Sequence, residues 1–311
     1  MSDRPAYRRS VLVSRCVCAL FGFLALCIAL PCAASINLQQ ASGAILTLPA
    51  PAKRIITLAP NLAELVFAAG AGARLKAVVE YSNFPPQVTQ IPRVGDAFRI
   101  DLERVIELEP DLVIAWKSGN PQTALQKLTQ LGITVWQIEI TRPEEMIQMV
   151  ESIALAAGTQ NEGRARARQL SNTLENLRRQ NKGKTPVDYF FQIAPRPLYT
   201  INGQHIISRS LEICGGHNVF FDLSTLAPQI SRESVILANP RVMIAPATST
   251  DSTPLDIWGD WPHLQAVQKK TLLYLPADEI SQATPRLLDS VELACKLLDE
   301  VRTSANLVGK P

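Results

Sequence analysis

From residue 54 onward, short apolar runs alternate with amphipathic stretches, and this alternation is the feature that most limits how the chain can fold. Such short runs predict strands, and stretches with apolar residues three and four apart predict helices. The predicted strands are residues 55–58, 76–79, 112–116, 135–138, 187–192, 242–245 and 272–275. The predicted helices are residues 60–69, 102–108, 123–131, 143–157, one ending at 214–216, one starting at Ser231 and a closing helix over 285–301. Strands that alternate with helices imply a mostly parallel α/β sheet.

A long polar stretch at 160–184 separates two such series of strands and helices. Leu170, Leu174 and Leu177 lie at helical spacing among its arginines. A single apolar stripe of this kind favours a stiff helix packed along one side, with the arginines facing solvent. A flexible linker is the alternative interpretation.

The fold predicted from this pattern is α/β, with two Rossmann-like lobes that contain mostly parallel sheets and are joined by one long rigid helix. A chain of 311 residues, 47% of them apolar, is long enough to bury the core of two lobes. The predicted segments are a signal peptide at 1–34, an N-terminal segment at 35–52, an N-terminal lobe at 53–158, a linker helix at 159–184, a C-terminal lobe at 185–303 and a tail at 304–311.

Residues 1–34 have the three parts of a secretory signal peptide. Arginines precede an apolar run of fifteen residues at 16–30, and the small residues Ala33, Ala34 and Ser35 follow it. The run is shorter than the ~20 residues that span a bilayer, so cleavage after Ala34 or Ser35 is favoured over a membrane anchor. A lipid-modified cysteine is a further alternative. Export of a soluble mature chain is expected.

The mature chain has no charge surplus. The whole chain contains 31 basic and 28 acidic side chains, and removal of the four arginines and one aspartate of residues 1–34 leaves 27 of each. Nucleic-acid binding requires a basic surplus, so this class of function is excluded.

Two of the six cysteines, Cys214 and Cys295, remain after removal of the signal peptide. One pair in an oxidising compartment predicts a single structural disulfide. A catalytic or metal-binding thiol pair is the alternative, but the chain has no CxxC spacing and no histidine within two residues of either cysteine.

An internal repeat connects the two halves. Residues 103–115 are ERVIELEPDLVIA and residues 233–245 are ESVILANPRVMIA, with six identical positions of thirteen. The repeat predicts the same helix–strand hairpin in each lobe, a pseudo-two-fold relation between the lobes and a cleft between them. A generic helix–proline–strand unit is the alternative explanation.

Few residues suggest catalysis. The three histidines, His205, His217 and His263, have no HExxH or HxH spacing, and the chain contains no GxSxG, P-loop or GxGxxG sequence. No catalytic residue and no metal site is therefore predicted, although a metal site assembled from distant residues stays open.

Two aromatic residues follow predicted strands directly. Trp116 ends the strand at 112–116, and Tyr81 follows the strand at 76–79. The carboxyl ends of strands in open α/β sheets face the ligand crevice, where an aromatic ring offers a stacking surface for a flat ligand. Core packing is the alternative role for both rings.

Five segments together resemble the periplasmic vitamin B12-binding proteins, the substrate-binding components of ABC importers. They are RIITLAPNLAELVFAAG, YSNFPPQ, LERVIELEPDLVIAWKSGN, LEICGGHNVF and PQISRESV, in that order. The resemblance covers about residues 53–302. It implies two α/β lobes on one rigid helix and a disulfide between Cys214 and Cys295.

The resemblance also implies roles for particular residues. Tyr81, Trp116 and Tyr199 match ligand-contacting aromatic positions of the family. Glu103 and Glu233, the first residues of the two repeat copies, match the pair of surface glutamates that dock on arginines of the membrane permease. Asp101 and Ser231 are expected to cap the helices that carry these glutamates.

Three places depart from the family pattern. Ala97, beside Phe98, and Ala227 stand where the family has tryptophan. The expected ligand loop of the C-terminal lobe comprises Asp278, Glu279, Ile280, Ser281 and Gln282, and only its aspartate is retained. Each lost stacking partner removes ~0.5–1.5 kcal/mol of binding free energy, so these changes bear on which ligand is bound and leave the implied transport role unaffected.

The sequence therefore predicts a periplasmic substrate-binding protein that takes cobalamin or a related corrinoid as transported ligand and uses no cofactor. The expected partners are an inner-membrane ABC permease and its ATPase subunits, and the free protein is expected to be a monomer. Haem or an iron-siderophore is the alternative ligand within this class. A secreted metal-dependent or chelatase-like enzyme is the alternative of another class.

Overall fold

A computed structural model of the chain describes residues 35–248 and 253–308. The predicted signal peptide at 1–34 lies outside these residues, as do residues 249–252 and 309–311. No helix in the described part is both long enough and apolar enough to cross a membrane.

A small antiparallel hairpin comes first, in a segment for which the sequence predicts little structure. Strand β1 (Ile36–Gln39) pairs with β2 (Ile45–Leu48), and Ile36, Leu38 and Leu48 are buried in the core of the neighbouring lobe. The apolar residues alternate with exposed ones, as expected of strands with one buried face.

The N-terminal lobe contains a parallel four-stranded sheet with helices on both faces. Its elements are β3 (Ile55–Thr57), α1 (Pro60–Ala68), β4 (Leu75–Ala77), α2 (Leu102–Glu107), β5 (Leu112–Trp116), α3 (Gln122–Gln130), β6 (Val135–Ile138) and α4 (Pro143–Ala157). The strand order is β4-β3-β5-β6. Because helices cover both faces, the central strands are buried throughout, which explains their uninterrupted apolar runs.

One continuous helix, α5 (Gln160–Asn181), connects the lobes. Leu170, Leu174 and Leu177 are buried along one side, and the arginines are exposed. The predicted linker helix is thus confirmed. Gly163 lies inside the helix where α5 crosses α4, and a Cβ there would lie 2.2 Å from the Ala154 Cβ. The absence of a side chain lets the two helices approach closely.

The C-terminal lobe repeats the arrangement of the first. Its elements are β7 (Val187–Phe191), β8 (Ala194–Pro195), β9 (Leu198–Tyr199), α6 (Ile206–Leu211), β10 (Gly216–Asn218), α7 (Arg232–Ala238), β11 (Val242–Ala247), α8 (Gln265–Gln268), β12 (Leu272–Pro276), α9 (Ala277–Ile280) and α10 (Leu287–Val308). The parallel strand order is β10-β7-β11-β12. The closing helix runs seven residues further than the sequence pattern predicts.

The two sheets have the same topology. In each, the first strand in the sequence is flanked by the second on one side and by the third and fourth on the other. The repeat copies form α2 with β5 in one lobe and α7 with β11 in the other, and both strands are third in their sheets. The predicted helix–strand unit is therefore present at equivalent places in both lobes.

The predicted disulfide is present between Cys214 and Cys295, with an S–S distance of 2.01 Å. Cys214 ends a 3₁₀ turn that follows α6, and Cys295 lies within α10. Both cysteines are buried. The bridge ties the closing helix to the inner part of the C-terminal lobe.

Candidate ligand-binding cleft

A cavity of about 500 Å³ lies between the lobes, and residues of both lobes form its wall. On the N-terminal side the wall follows the ends of three strands: Pro60 and Asn61 after β3, Trp116 and Ser118 at β5, and Glu139 to Thr141 after β6. On the C-terminal side it comprises residues 204–206, Leu226 with Ala227, and residues 281–283. The cavity therefore lies at the carboxyl ends of parallel strands, where α/β proteins place ligands.

Asn120 organises the turn that presents Trp116. Its Oδ1 accepts the backbone N–H of Trp116 at 2.7 Å, and its Nδ2 donates to the carbonyls of Leu58 at 2.8 Å and Ala97 at 2.9 Å. A Cβ at Gly119 would lie 3.0 Å from Trp116 Cδ1. The indole of Trp116 is thus half-buried against its own turn and fixed at the cavity wall.

Glu139 supplies a carboxylate to the N-terminal wall of the larger cavity. Its two oxygens accept the backbone N–H of Ser118 at 2.9 Å and the Ser118 hydroxyl at 3.0 Å. Burial raises the pKa of the Glu139 carboxyl above its ordinary value, and the two bonds from Ser118 oppose that rise. The pair ties the turn after β5 to the segment after β6.

His205 forms part of the C-terminal wall and caps helix α6. Its Nδ1 accepts the backbone N–H of Ile207 at 3.2 Å. Burial lowers the pKa of His205 to about 4, so its imidazole is neutral near neutral pH. His217 pairs with Asp188 at 2.8 Å on the surface, and His263 is exposed elsewhere. Within residues 35–248 and 253–308, no group of three or more His, Cys, Asp or Glu side chains is placed to hold a metal ion.

Tyr81 lies at a second, smaller cavity of about 120 Å³. Both cavities include Pro60 and Gln282 in their walls, so they are adjoining parts of one cleft. Tyr81 is 77% exposed and adopts a left-handed backbone conformation with φ 65°, which is uncommon for a bulky residue. Residues in such uncommon backbone conformations cluster at active sites and ligand contacts.

The other predicted ligand residues fall into two groups. Ser281 and Gln282 line the larger cavity, and Asp278 and Gln282 line the smaller one. Glu279 is half-buried; burial, and then the nearby Asp289 carboxylate, raise its pKa. Ile280 does not reach the cleft, because its side chain is completely buried in the core. Tyr199 is half-buried in β9 and lines neither of the two cavities.

Arg286 and Glu64 are cleft residues that the sequence did not single out. The Arg286 guanidinium donates to both carboxylate oxygens of Glu64 and lies 4.1 Å from the centre of the Phe84 ring. Like Glu139, they lack the aromatic ring that drew attention to Trp116 and Tyr81. The location of Glu139 just after a strand was the available signal for that residue.

The two predicted docking glutamates occupy the same position on equivalent helices. Asp101 caps α2 by accepting the Arg104 N–H at 3.0 Å, and Ser231 caps α7 by accepting the Ser234 N–H at 3.2 Å. Glu103 and Glu233 are each the second residue after the cap, and both are exposed. Hydrogen bonds from its own backbone N–H and from Ser231 hold the pKa of the Glu233 carboxyl below its ordinary value.

The departures from the family pattern have distinct consequences. Ala227 lines the larger cavity, so its small side chain leaves space in the wall. Ala97 is held by its backbone carbonyl, which accepts from Asn120. Phe98 next to it is 74% exposed, and the Asp96 carboxylate accepts its backbone N–H at 2.7 Å.

Two α/β lobes on one continuous helix, with a cavity between the carboxyl ends of both sheets, define a two-lobed binding protein. The chain belongs to the periplasmic binding protein family, whose model matches residues 55–279. A vitamin B12-binding protein of Vibrio cholerae serotype O1 is 36% identical over 255 residues, which are 82% of this chain and 92% of that protein. The vitamin B12-binding protein of Photorhabdus laumondii is 33% identical over 247 residues, 79% of this chain and 88% of that protein.

Solved structures agree with this assignment. The periplasmic vitamin B12-binding protein BtuF of Vibrio cholerae superposes with a TM-score of 0.76 at 36% identity, covering 81% of this chain and 98% of that chain. The periplasmic heme-binding protein HutB of Vibrio cholerae shares the fold, with a TM-score of 0.68 at 22% identity over 79% of this chain and 98% of that chain. The resemblance to periplasmic vitamin B12-binding proteins is therefore confirmed.

Proposed function

We propose that this chain is the substrate-binding protein of an ABC importer and that it captures a corrinoid between its lobes. The observation that carries the proposal is the 36% identity, over 255 residues, to a protein named vitamin B12-binding protein. Trp116 and Tyr81 support it, because they lie in adjoining cavities of one cleft. Aromatic rings in such places suit the flat face of a corrin macrocycle.

The polar groups of the cleft suit the rim of the same ligand. A corrin ring carries amide side chains, which both donate and accept hydrogen bonds. Asn61, Gln204 and Gln282 offer amide groups in the wall, and Ser118 offers a hydroxyl. A mostly apolar site with a few polar groups at fixed places is the usual design of a small-molecule pocket.

The location and the partners belong to the same proposal. Residues 1–34 direct export and are removed after Ala34 or Ser35, and the mature monomer works in the periplasm. Glu103 and Glu233 dock on the permease, which acts with its ATPase subunits. The corrinoid is cargo that leaves unchanged, so the protein performs no catalysis and holds no cofactor.

A calorimetric titration with cyanocobalamin, and with haem as comparator, tests the proposal. The protein is purified from the periplasm of expressing cells, and N-terminal sequencing then identifies the cleavage site. We expect one-to-one binding of cyanocobalamin with submicromolar Kd. Trp116→Ala and Tyr81→Ala should each weaken binding by about tenfold, from lost stacking and apolar contact. Tyr274→Ala is the control, because Tyr274 lines neither cavity.

Two results would contradict the corrinoid assignment. Saturation with haem and no heat with cyanocobalamin would keep the transport role and replace the ligand. No heat with either ligand would direct attention to Ala97, Ala227 and Glu279, where a different specificity would then reside.

A further inference from the structure

A buried ion pair joins the two lobes across the cleft. Arg286 precedes α10 in the C-terminal lobe, and Glu64 lies in α1 of the N-terminal lobe, 222 residues away. Arg286 Nε lies 3.1 Å from each carboxylate oxygen of Glu64, and Nη2 lies 2.8 Å from Oε2. The Arg286 side chain is 20% exposed and that of Glu64 is 5% exposed. This is the two-pronged geometry that gives an arginine–carboxylate pair its directionality.

Arg286 makes a second contact with the N-terminal lobe. Its guanidinium carbon lies 4.1 Å from the centre of the Phe84 ring, within the range of a cation–π interaction. Phe84 belongs to the loop that carries Tyr81, and both line the smaller cavity with Arg286. Asp278 and Gln282 supply the C-terminal side of that cavity. The Arg286 side chain thus connects the C-terminal wall of the smaller cavity to its N-terminal wall.

We propose that Arg286 is a positioning residue that holds the lobes at one separation, so that the gap for the ligand is set before the ligand arrives. Helix α5 joins the lobes through the chain, and beside it α4 of the N-terminal lobe packs on α6 of the C-terminal lobe. These contacts lie on the side of the linker helix and leave a rotation of the lobes about that side possible. The Arg286–Glu64 pair adds a contact between the lobes at the cleft. Removal of Arg286 leaves the buried Glu64 carboxylate without its partner cation, so the pair favours the arrangement in which both charges are matched.

Arg209 provides a matched control within one lobe. It lies 3.5 Å from the carboxylate of Glu212 and 5.7 Å from the centre of the Phe221 ring. Arg209 therefore has the same two kinds of partner as Arg286, but all three residues belong to the C-terminal lobe. Arg209→Gln removes an arginine and its ion pair without removing a contact between lobes.

Distance measurements between spin labels test the proposal without any ligand. Labels at Gln130→Cys in the N-terminal lobe and Lys269→Cys in the C-terminal lobe occupy exposed sites outside both cavities. We expect one narrow distance distribution for the unsubstituted protein and for Arg209→Gln. Arg286→Gln and Glu64→Gln should each broaden it, and the double variant should broaden it no further than either single one.

Two further variants distinguish a change in lobe separation from a general loss of folding. Arg286→Lys keeps the charge but lacks the planar fork, so it should fold and still broaden the distribution. The exchange Glu64→Arg with Arg286→Glu restores an ion pair and should narrow the distribution again. Distributions for folded Arg286→Lys and Glu64→Gln that equal those of the unsubstituted protein would overturn the proposal.

The consequence for binding rests on the proposed corrinoid function and is measured separately. If the correct separation falls to about a tenth of the population, the apparent affinity for cyanocobalamin falls about tenfold in Arg286→Lys. If Arg286→Lys broadens the distance distribution but leaves the affinity for cyanocobalamin unchanged, the ion pair does not set the gap for the ligand. The corrinoid assignment would stay intact. Failure of the unsubstituted protein to bind cyanocobalamin would overturn that assignment, and the distance measurements would still decide the role of Arg286.

Discussion

One buried amide, that of Asn120, connects three parts of the N-terminal wall at the scale of single residues. It is 5% exposed, and its three hydrogen bonds reach Leu58, Ala97 and Trp116. Two of these partners belong to segments far from it in the sequence. The orientation of the Trp116 turn therefore depends on a side chain that need not touch the ligand.

Replacement of Asn120 by alanine tests this dependence. Asn120→Ala leaves one backbone N–H and two carbonyls without their partner, and each such loss costs about 1–3 kcal/mol when the group stays dry. We expect the free energy of unfolding in urea to fall by about 2–4 kcal/mol, allowing for water entry. Asn176→Ala is the control, because Asn176 is exposed on α5 and its Oδ1 accepts from Arg179 of the same helix. Equal losses in the two variants would contradict the expectation.

His205 makes stability depend on pH. Its pKa is about 4 in the folded protein, against an ordinary value of 6.5, because it is buried. The unfolded chain therefore binds the proton more readily, and stability falls as pH falls from about 6.5 to about 4. Below about pH 4 both states are protonated, and the loss from this group is complete.

His205→Asn isolates this effect, because asparagine also caps a helix but does not titrate. The difference in unfolding free energy between about pH 7 and about pH 4.5 should be smaller in the variant by up to roughly 2.5 kcal/mol. Urea unfolding at the two pH values measures it. Parallel pH profiles for the two proteins would refute the assignment of the low pKa to His205.

The contact between α4 and α5 controls how the linker helix is seated, at the scale of whole elements. Gly163 is destabilising in an isolated helix by about 1 kcal/mol relative to alanine. Glycine nevertheless occupies this position because a Cβ there would overlap with Ala154. Gly163 is thus explained by the close packing of α4 and α5. The helical pattern of α5 alone does not predict this contact.

Gly163→Ala should destabilise the protein despite its better helix propensity. Overpacking of a tight contact costs about 1–3 kcal/mol and the better helix propensity offsets about 1 kcal/mol of it, so we expect a net loss of up to about 2 kcal/mol in urea unfolding. Addition of Ala154→Gly removes the obstructing methyl and should recover part of the loss. A Gly163→Ala protein that unfolds at higher urea concentration than the parent would contradict the close contact.

Elements with a strong apolar pattern were predictable from the sequence, and elements without one were not. The strands of the N-terminal sheet lie within a residue or two of the predicted runs, because buried parallel strands are apolar on both faces. Strand β10 has the residues Gly216, His217 and Asn218 and no apolar run. The β1–β2 hairpin is only half apolar, and its signal was the alternation of Ile36 and Leu38 before Gly43.

At the scale of the whole molecule, sequence patterns predict each lobe but not the contacts between lobes. The repeat and the strand ends led to Trp116 and Tyr81, which lie in one cleft. The Arg286–Glu64 pair spans 222 residues, and neither residue belongs to a pattern that indicates a partner. Burial is a property of the folded lobes, so the low pKa of His205 could not be predicted from the sequence either. The burial of Ile280 was invisible for the same reason.

The proposed docking surface involves the whole molecule, because Glu103 and Glu233 lie on different lobes. Charge reversal in Glu103→Lys with Glu233→Lys should leave cyanocobalamin affinity unchanged in calorimetry, since neither residue lines a cavity. Uptake of labelled cyanocobalamin by cells that depend on this chain should fall by more than about tenfold if the two glutamates dock on basic residues of the permease, as proposed, because like charges would then meet at the docking surface.

The control reverses the same number of charges elsewhere. Glu162→Lys with Glu175→Lys alters two exposed residues of α5, and uptake should stay near that of the parent protein. Equal uptake by the two double variants would remove Glu103 and Glu233 from the docking surface.

The shared strand order of the two sheets affects the orientation in which the protein can approach a permease. Each half offers its carboxylate from the second residue after the cap of an equivalent helix. A receiver with its own two-fold axis would accept the protein either way round, which doubles the productive approaches. The cleft has no such symmetry, because Trp116 and Tyr81 both belong to the N-terminal lobe. The same ligand would then arrive facing either of two opposite directions, and a channel served in this way must admit it from both.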